Sequence, residues 1–364
     1  MATSSVTSPP IVPIEGTPSR PVVWWACIGV LFFALQLYVW IAWVTSDLFT
    51  PTLVGDSAVP TFVVGFARFW ELVAVLLGLG ALGLIIKSYV KDARLSALAV
   101  FIAAWGTTIW QDPFINFLRP MFSYSSVFFN YGSWAPFIPG WISPNASAMP
   151  EPLFMLVGMY TVFCVFFSLC VCWTMRWAKN RWPTIGVLQL ILVGCLAGVI
   201  YDLILEFFWL RMQLYSYIGA IHEATLFADN IWQMPLYNHL VWGFLGIGVA
   251  GSLFYFRDDK GHMFAERGAE TFTSKTGNAF MRIFAVGGFI NVSFLTYSVI
   301  IAISVLWNDP YPETLPSWLI NGLCGPNSAY VEVPCPTHET PIPMPHSGPA
   351  LPATGPDGSG YPFE

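Results

Sequence analysis

The stretch IYDLILEFFWLR, residues 200–211, decides how this chain is read. It is apolar enough for a lipid bilayer, yet it places Asp202 and Glu206 four residues apart, on one face of a helix. Ionisable side chains at membrane depth are costly against lipid, so they face one another or a watered cavity. What these two acids face is the question on which the reading of the whole sequence turns.

The composition supplies the membrane. Of 364 residues, 55% are hydrophobic and 10% charged, whereas a soluble domain is about 25% charged. A spanning helix needs about 20 mainly apolar residues, and such runs occur at 22–45, 61–87, 95–115, 152–175, 184–210, 235–256 and 281–306. The expected fold is therefore all-α, a polytopic membrane protein of about seven transmembrane helices over 21–310. A disordered segment, 1–20, precedes it, and a Pro-rich tail, 311–364, follows. The first 20 residues lack the basic and short apolar regions of a cleaved signal, so the first helix is expected to stay as an anchor.

Basic residues orient the bundle. Arg20, Lys87, Lys91, Arg94, Arg176, Lys179, Arg181, Arg257, Lys260, Arg267, Lys275 and Arg282 share one side of a seven-span layout. The positive-inside rule makes that side cytoplasmic, with the N-terminus inside and the C-terminus outside. A net charge of −6, with no basic stripe beyond those loops, excludes nucleic acid as a partner. Membrane lipids and a lipophilic small molecule are the expected partners; the sequence does not give an oligomeric state.

Cysteines and glycines have structural readings. Cys27, Cys164, Cys170, Cys172 and Cys195 fall in spans and serve as small apolar residues. Cys324 and Cys335, in the extracytoplasmic tail, are expected to form a disulfide; LCGPNSAYVEVPCPTH (323–338) has no CxxC pair, and no metal site is expected. The runs LLGLGALG (76–83) and GFLGIGVAG (243–251), with Gly194 and Gly198, would let helices approach closely. Beyond Cys335, PIPMPHSGPALPATGPDGSGYPFE cannot bury a core and is expected to be extended or disordered.

Two outer connections differ from ordinary loops. Residues 113–151 hold ten aromatic residues and very few charges, which suits a lid folded over the bundle mouth or an aromatic belt on lipid headgroups. Residues 211–234 carry His222, Glu223, Asp229 and Asn230 and are expected to form a short amphipathic helix.

Depth then gathers the titratable residues. Arg68 and Glu71 lie just below the outer surface of the second span, Asp112 at the outer end of the third, Asp202 and Glu206 in the outer half of the fifth, and His239 at the outer start of the sixth. Carboxylates crowded in a poorly solvated cleft cannot all ionise, which is how one site comes to hold both a general acid and a general base. A buried ion-pair network that only fixes helix register is the structural alternative. A transporter or lipid-binding protein would also want a capped polar cavity, but with polar residues in the cytoplasmic half or a broken helix at mid-depth, neither of which the sequence announces. A haem carrier would need His222 and His239 to face one cavity.

The segments FARFWELVAVLLG (66–78), WQDPFINFL (110–118) and above all FNYGSWAPFIPGWISPN (129–145), in a seven-span layout, resemble the AveC-like spirocyclase family, named for avermectin biosynthesis. The resemblance implies a small integral protein of the bacterial cytoplasmic membrane that closes a dihydroxyketone polyketide into a spiroketal in secondary metabolism, in some members with dehydration. It implies no catalytic residues, so the assignment rests on the cluster itself. Asp202 or Glu206 is the expected acid and Glu71, oriented by Arg68, the base, with Asp112 and His239 as secondary candidates. Tyr131, Trp134 and Trp141 of the lid, with Trp110, are the expected substrate contacts. Spiroketal closure needs proton transfers alone, so no cofactor and no metal is expected.

Overall fold

Five helices in the computed structural model, which describes residues 20–344, are long and apolar enough to cross a membrane. They are α1 (Pro21–Val44), α2 (Thr61–Lys91), α4 (Leu153–Arg181), α5 (Val187–Arg211) and α7 (Lys275–Trp307); between them lie α3 (Ala97–Trp105) and α6 (236–255). Proline opens α1 in the first turn, where its missing N–H leaves no bond unmade. Ser274 caps α7 by accepting the Gly277 N–H at 3.0 Å. Only 17% of the most apolar window of α2 is buried within the protein. Leu72, Leu76 and Leu79 point outward from it, and lipid is the environment that such a surface requires.

Two of the seven expected spans take another form. The third is not one helix. It stops at Trp105, passes through Gly106, and resumes as a 3-10 turn, Ile109–Asn116, that contains Pro113. The Thr107 and Thr108 hydroxyls donate to the carbonyls three residues back, at 2.7 Å each, and Pro113 has no N–H to continue a helix. Irregular backbone at this depth is tolerated only when buried in protein, and it is buried here. The sixth segment is helical but opens with Tyr237, Asn238 and His239 and winds through a π-helical stretch, Trp242–Gly248. A second π stretch, Met159–Phe163, lies within α4.

Helix packing uses some of the expected glycines and not others. A Cβ on Gly198 would overlap the Gly243 carbonyl, and one on Gly248 would meet the Cys195 backbone at 2.5 Å, so α5 and α6 are in backbone contact. Gly80 and Gly83, by contrast, have nothing within 4 Å.

The outer connections fold onto the bundle. Strand β1 (Ser123–Tyr124) pairs antiparallel with β2 (Tyr215–Ser216), which stitches the 113–151 lid to the 211–234 connection. That second connection is not an amphipathic helix: apart from a short 3-10 turn at His222–Ala224 it forms β2 and β3 (Thr225–Leu226), the latter paired with β4 (Met234–Pro235). The tail joins the same layer. Arg119 is buried and donates to the carbonyls of Val305 at 3.1 Å, Thr337 at 2.8 Å and Thr340. Asn145 donates to the Val331 carbonyl at 2.8 Å, and Cys324 and Cys335 form a disulfide. Met344 is buried, so the start of the Pro-rich stretch is packed. The disordered segment expected before Arg20, and the tail from 345, lie outside the described residues.

Candidate active site

Asp202 and Glu206 face a cavity enclosed by α4, α5, α6, α7 and both outer connections. A third carboxyl group, Asp112, enters from the 3-10 turn that follows α3. Both π stretches border the cavity, through Met159, Tyr160 and Phe163 on one side and Trp242 and Ile247 on the other, as π turns often do at functional sites.

The acids are held by phenols, and no lysine or arginine lines the cavity among the described residues. Glu206 accepts from the Tyr215 hydroxyl and from that of Tyr217 at 3.3 Å. The Tyr217 oxygen accepts in turn from the Asn238 amide at 2.8 Å, and Asn238 Oδ1 accepts from the Tyr297 hydroxyl at 3.0 Å. Asp112 Oδ1 accepts from Tyr160 at 2.6 Å and from Tyr124 at 3.1 Å. Asp202 Oδ2 lies 3.0 Å from His239 Nδ1, and the other ring nitrogen of His239 is buried with no hydrogen-bond partner. Asp202, Glu206 and His239 each bring one ligating atom within 4.8 Å of the others, so this triad could hold a divalent cation.

Of the expected site residues, the cavity brings together Asp112, Asp202 and Glu206, with His239 behind Asp202. Arg68 and Glu71 lie elsewhere. They pair with each other, Arg68 donates to the Val127 carbonyl, and Glu71 accepts the Phe129 N–H, so the pair ties α2 to the lid. The two share one helix face, and that face meets the lid backbone and not the acids. The expected aromatic contacts also have structural partners. Trp134 donates to the Trp110 carbonyl at 2.9 Å and packs edge-on against Trp43, Tyr131 stacks on Phe49, and Trp141 donates to the Ser143 carbonyl. Trp110 donates to Asn291 Oδ1 at 3.1 Å. The aromatic walls are instead Phe122 and Tyr124 of the lid, Trp209, Trp242 and Phe294.

Glu151, at the end of the lid, was not singled out in the sequence; it is buried beside Asp112. Burial, and then the neighbouring Asp112, push its carboxyl well above the usual glutamate range. Its place at a loop end, without helical periodicity, gives no signal from spacing.

The cavity lies within residues 112–297. A family model described as "Spirocyclase AveC-like" matches residues 93–319, well over half of the chain and the whole of that lining. No curated protein and no solved structure matches the chain. With its cavity inside the matched region, the chain belongs to the AveC-like spirocyclase family.

Proposed function

We propose that this protein is a membrane-embedded, cofactor-independent cyclase that closes a lipophilic, polyketide-like dihydroxyketone into a spiroketal. The observation that carries the reading is the convergence of Asp112, Asp202 and Glu206 on one aromatic cavity free of fixed cations. In this reading seven segments span the membrane, the third by its broken form, with the N-terminus cytoplasmic and the cavity in the outer leaflet.

Closure requires one hydroxyl to add to the ketone, the hemiketal hydroxyl to leave as water, and the second hydroxyl to trap the oxocarbenium ion. Glu206 is suited to accept the proton of the attacking hydroxyl, because the two phenols that donate to it complement a carboxylate. Asp202, one helical turn away and tied to His239, adds anionic character facing the transient cation. Trp209, Trp242 and Phe294 offer ring faces to the cation and limit access of bulk water. The half-buried lining residues Met159, Phe163, Phe167, Leu205 and Trp242 sit on membrane-length helices or beside them, which supports access for a lipophilic substrate from the bilayer.

A transport reading has one observation in its favour, the break in the third span, since discontinuous helices mark many transporter sites. The break is, however, bonded to α7: Asn291 donates to Thr107 Oγ1 at 2.9 Å and accepts from Trp110 and Gln111. Deleting the protein in its host and comparing lipid-soluble metabolites separates the two. Accumulation of an open-chain hydroxyketone, one water heavier than the lost product, supports the cyclase; an unchanged set of metabolites with altered export supports transport.

A further inference from the structure

The acid for this reaction is the missing part of the proposed site. Asp112 and Glu151 line a small side pocket that opens behind the main cavity, together with Asn116, Ser123 and Tyr124. Asp112 belongs to both spaces. Its Oδ1 is occupied by the phenols of Tyr124, from the lid, and Tyr160, from α4. Glu151 Oε1 accepts from the Ser133 hydroxyl at 2.9 Å, while Oε2 is buried with no donor from any neighbouring group. Both carboxyl groups are buried against this one pocket, and no lysine, arginine or histidine lines it among the described residues. Two ionised carboxylates crowded into one buried pocket with no cation in its lining would repel, so one of the two keeps a proton.

We propose that Asp112 and Glu151 form a second catalytic centre in this cavity, a carboxyl pair sharing one proton, in which Asp112 meets the substrate and Glu151 is the positioning residue that keeps the proton there. The proposal rests on the cyclase reading and names its general acid. The pair gives its proton to the hemiketal hydroxyl, the C–O bond breaks, and water leaves with the bonding electrons. The second hydroxyl then forms the new C–O bond to the cation and gives its proton to Glu206. Transfer of that proton back to the pair resets the site, and the net change is the loss of one water. The arrangement separates the poles: an acid on the lid side, held by Tyr124 and Tyr160, and a base on α5, held by Tyr215 and Tyr217.

The pair is tested on the full-length protein in detergent by infrared difference spectra in H₂O and D₂O, which read the carbonyl stretch of a protonated carboxyl group. The expected result is a deuterium-sensitive band that is lost in Glu151→Gln and displaced in Asp112→Asn. Identical spectra for wild type and a folded Glu151→Gln overturn the shared proton; should that variant fail to fold, an undisplaced band in Asp112→Asn does so. Turnover is read with a synthetic dihydroxyketone, corrected for uncatalysed closure. Glu151→Gln should lower kcat by about 10²-fold or more with KM little changed, and Glu151→Asp should recover the band and part of the rate. Equal kcat in wild type and Glu151→Gln overturns the catalytic role. A wild-type protein that carries the band yet leaves the dihydroxyketone open overturns the cyclase reading and the pair's catalytic role with it, while the shared proton stands.

Discussion

Asp202 on α5 and His239 in the first turn of α6 are joined across the two helices by a 3.0 Å contact between Oδ2 and Nδ1, and both side chains are buried. Removing one member of such a pair leaves the other buried without its hydrogen-bond partner, at a cost of about 1–3 kcal/mol. His239→Ala should therefore lower the unfolding temperature in detergent sharply. Asp202→Asn in the same chain should add less than its own single effect, because the contact it would break is already gone. A double variant that loses the full sum of the two single effects would show that the residues do not interact.

Glu71 and Glu206 should respond differently to the same substitution. Glu206→Gln alters a cavity carboxylate held by two phenols and should lower turnover by about 10²–10⁴-fold. Glu71→Gln acts only where α2 meets the lid, in an ion pair whose Arg68 side chain is 53% exposed. Glu71 itself is buried, but neither it nor Arg68 lines the cavity, so the variant should keep kcat within about tenfold. Loss of turnover in Glu71→Gln comparable with that in Glu206→Gln would return Glu71 to the chemistry.

The contrast shows how far the sequence could be read. Spacing of four residues put Asp202 and Glu206 on one face, and the cavity lies on that face. Depth along the chain brought Asp112 and His239 to the same level. Spacing also put Arg68 and Glu71 on one face, but spacing cannot say which neighbour that face meets. The phenols of Tyr124, Tyr160, Tyr215, Tyr217 and Tyr297 were illegible for another reason: tyrosine is common at membrane interfaces, so nothing marks the few whose hydroxyls reach an acid. The end of the third helix was written in Gly106 and Pro113, but the apolar length of 95–115 concealed it.

Close approach of α5 and α6 holds Asp202 against His239, and it depends on Gly198 lying on the Gly243 carbonyl. Gly198→Leu has no side-chain movement that relieves a clash with backbone, so a cost of about 1–3 kcal/mol or more is expected. Gly80→Leu, on α2 with open space around it, should leave the unfolding temperature nearly unchanged. Equal thermal stability of the two variants would mean that α5 and α6 are not in backbone contact.

Spiroketal closure runs on protons, so chelation offers a direct test of the proposed chemistry. Glu206 Oε2 is engaged by two phenols, and Asp202 Oδ2 lies at hydrogen-bonding distance from His239 Nδ1. A divalent ion held through those same atoms would displace these hydrogen bonds, whereas His239 Nε2 has none to lose. Turnover of a synthetic dihydroxyketone should therefore survive dialysis against a strong chelator, and added Mg²⁺, Mn²⁺ or Zn²⁺ should not raise it. If chelation abolishes turnover and one of these ions restores it, the triad is a metal centre. Its carboxylates would then act as ligands and not as the base, and Glu206→Gln should lower metal content along with rate.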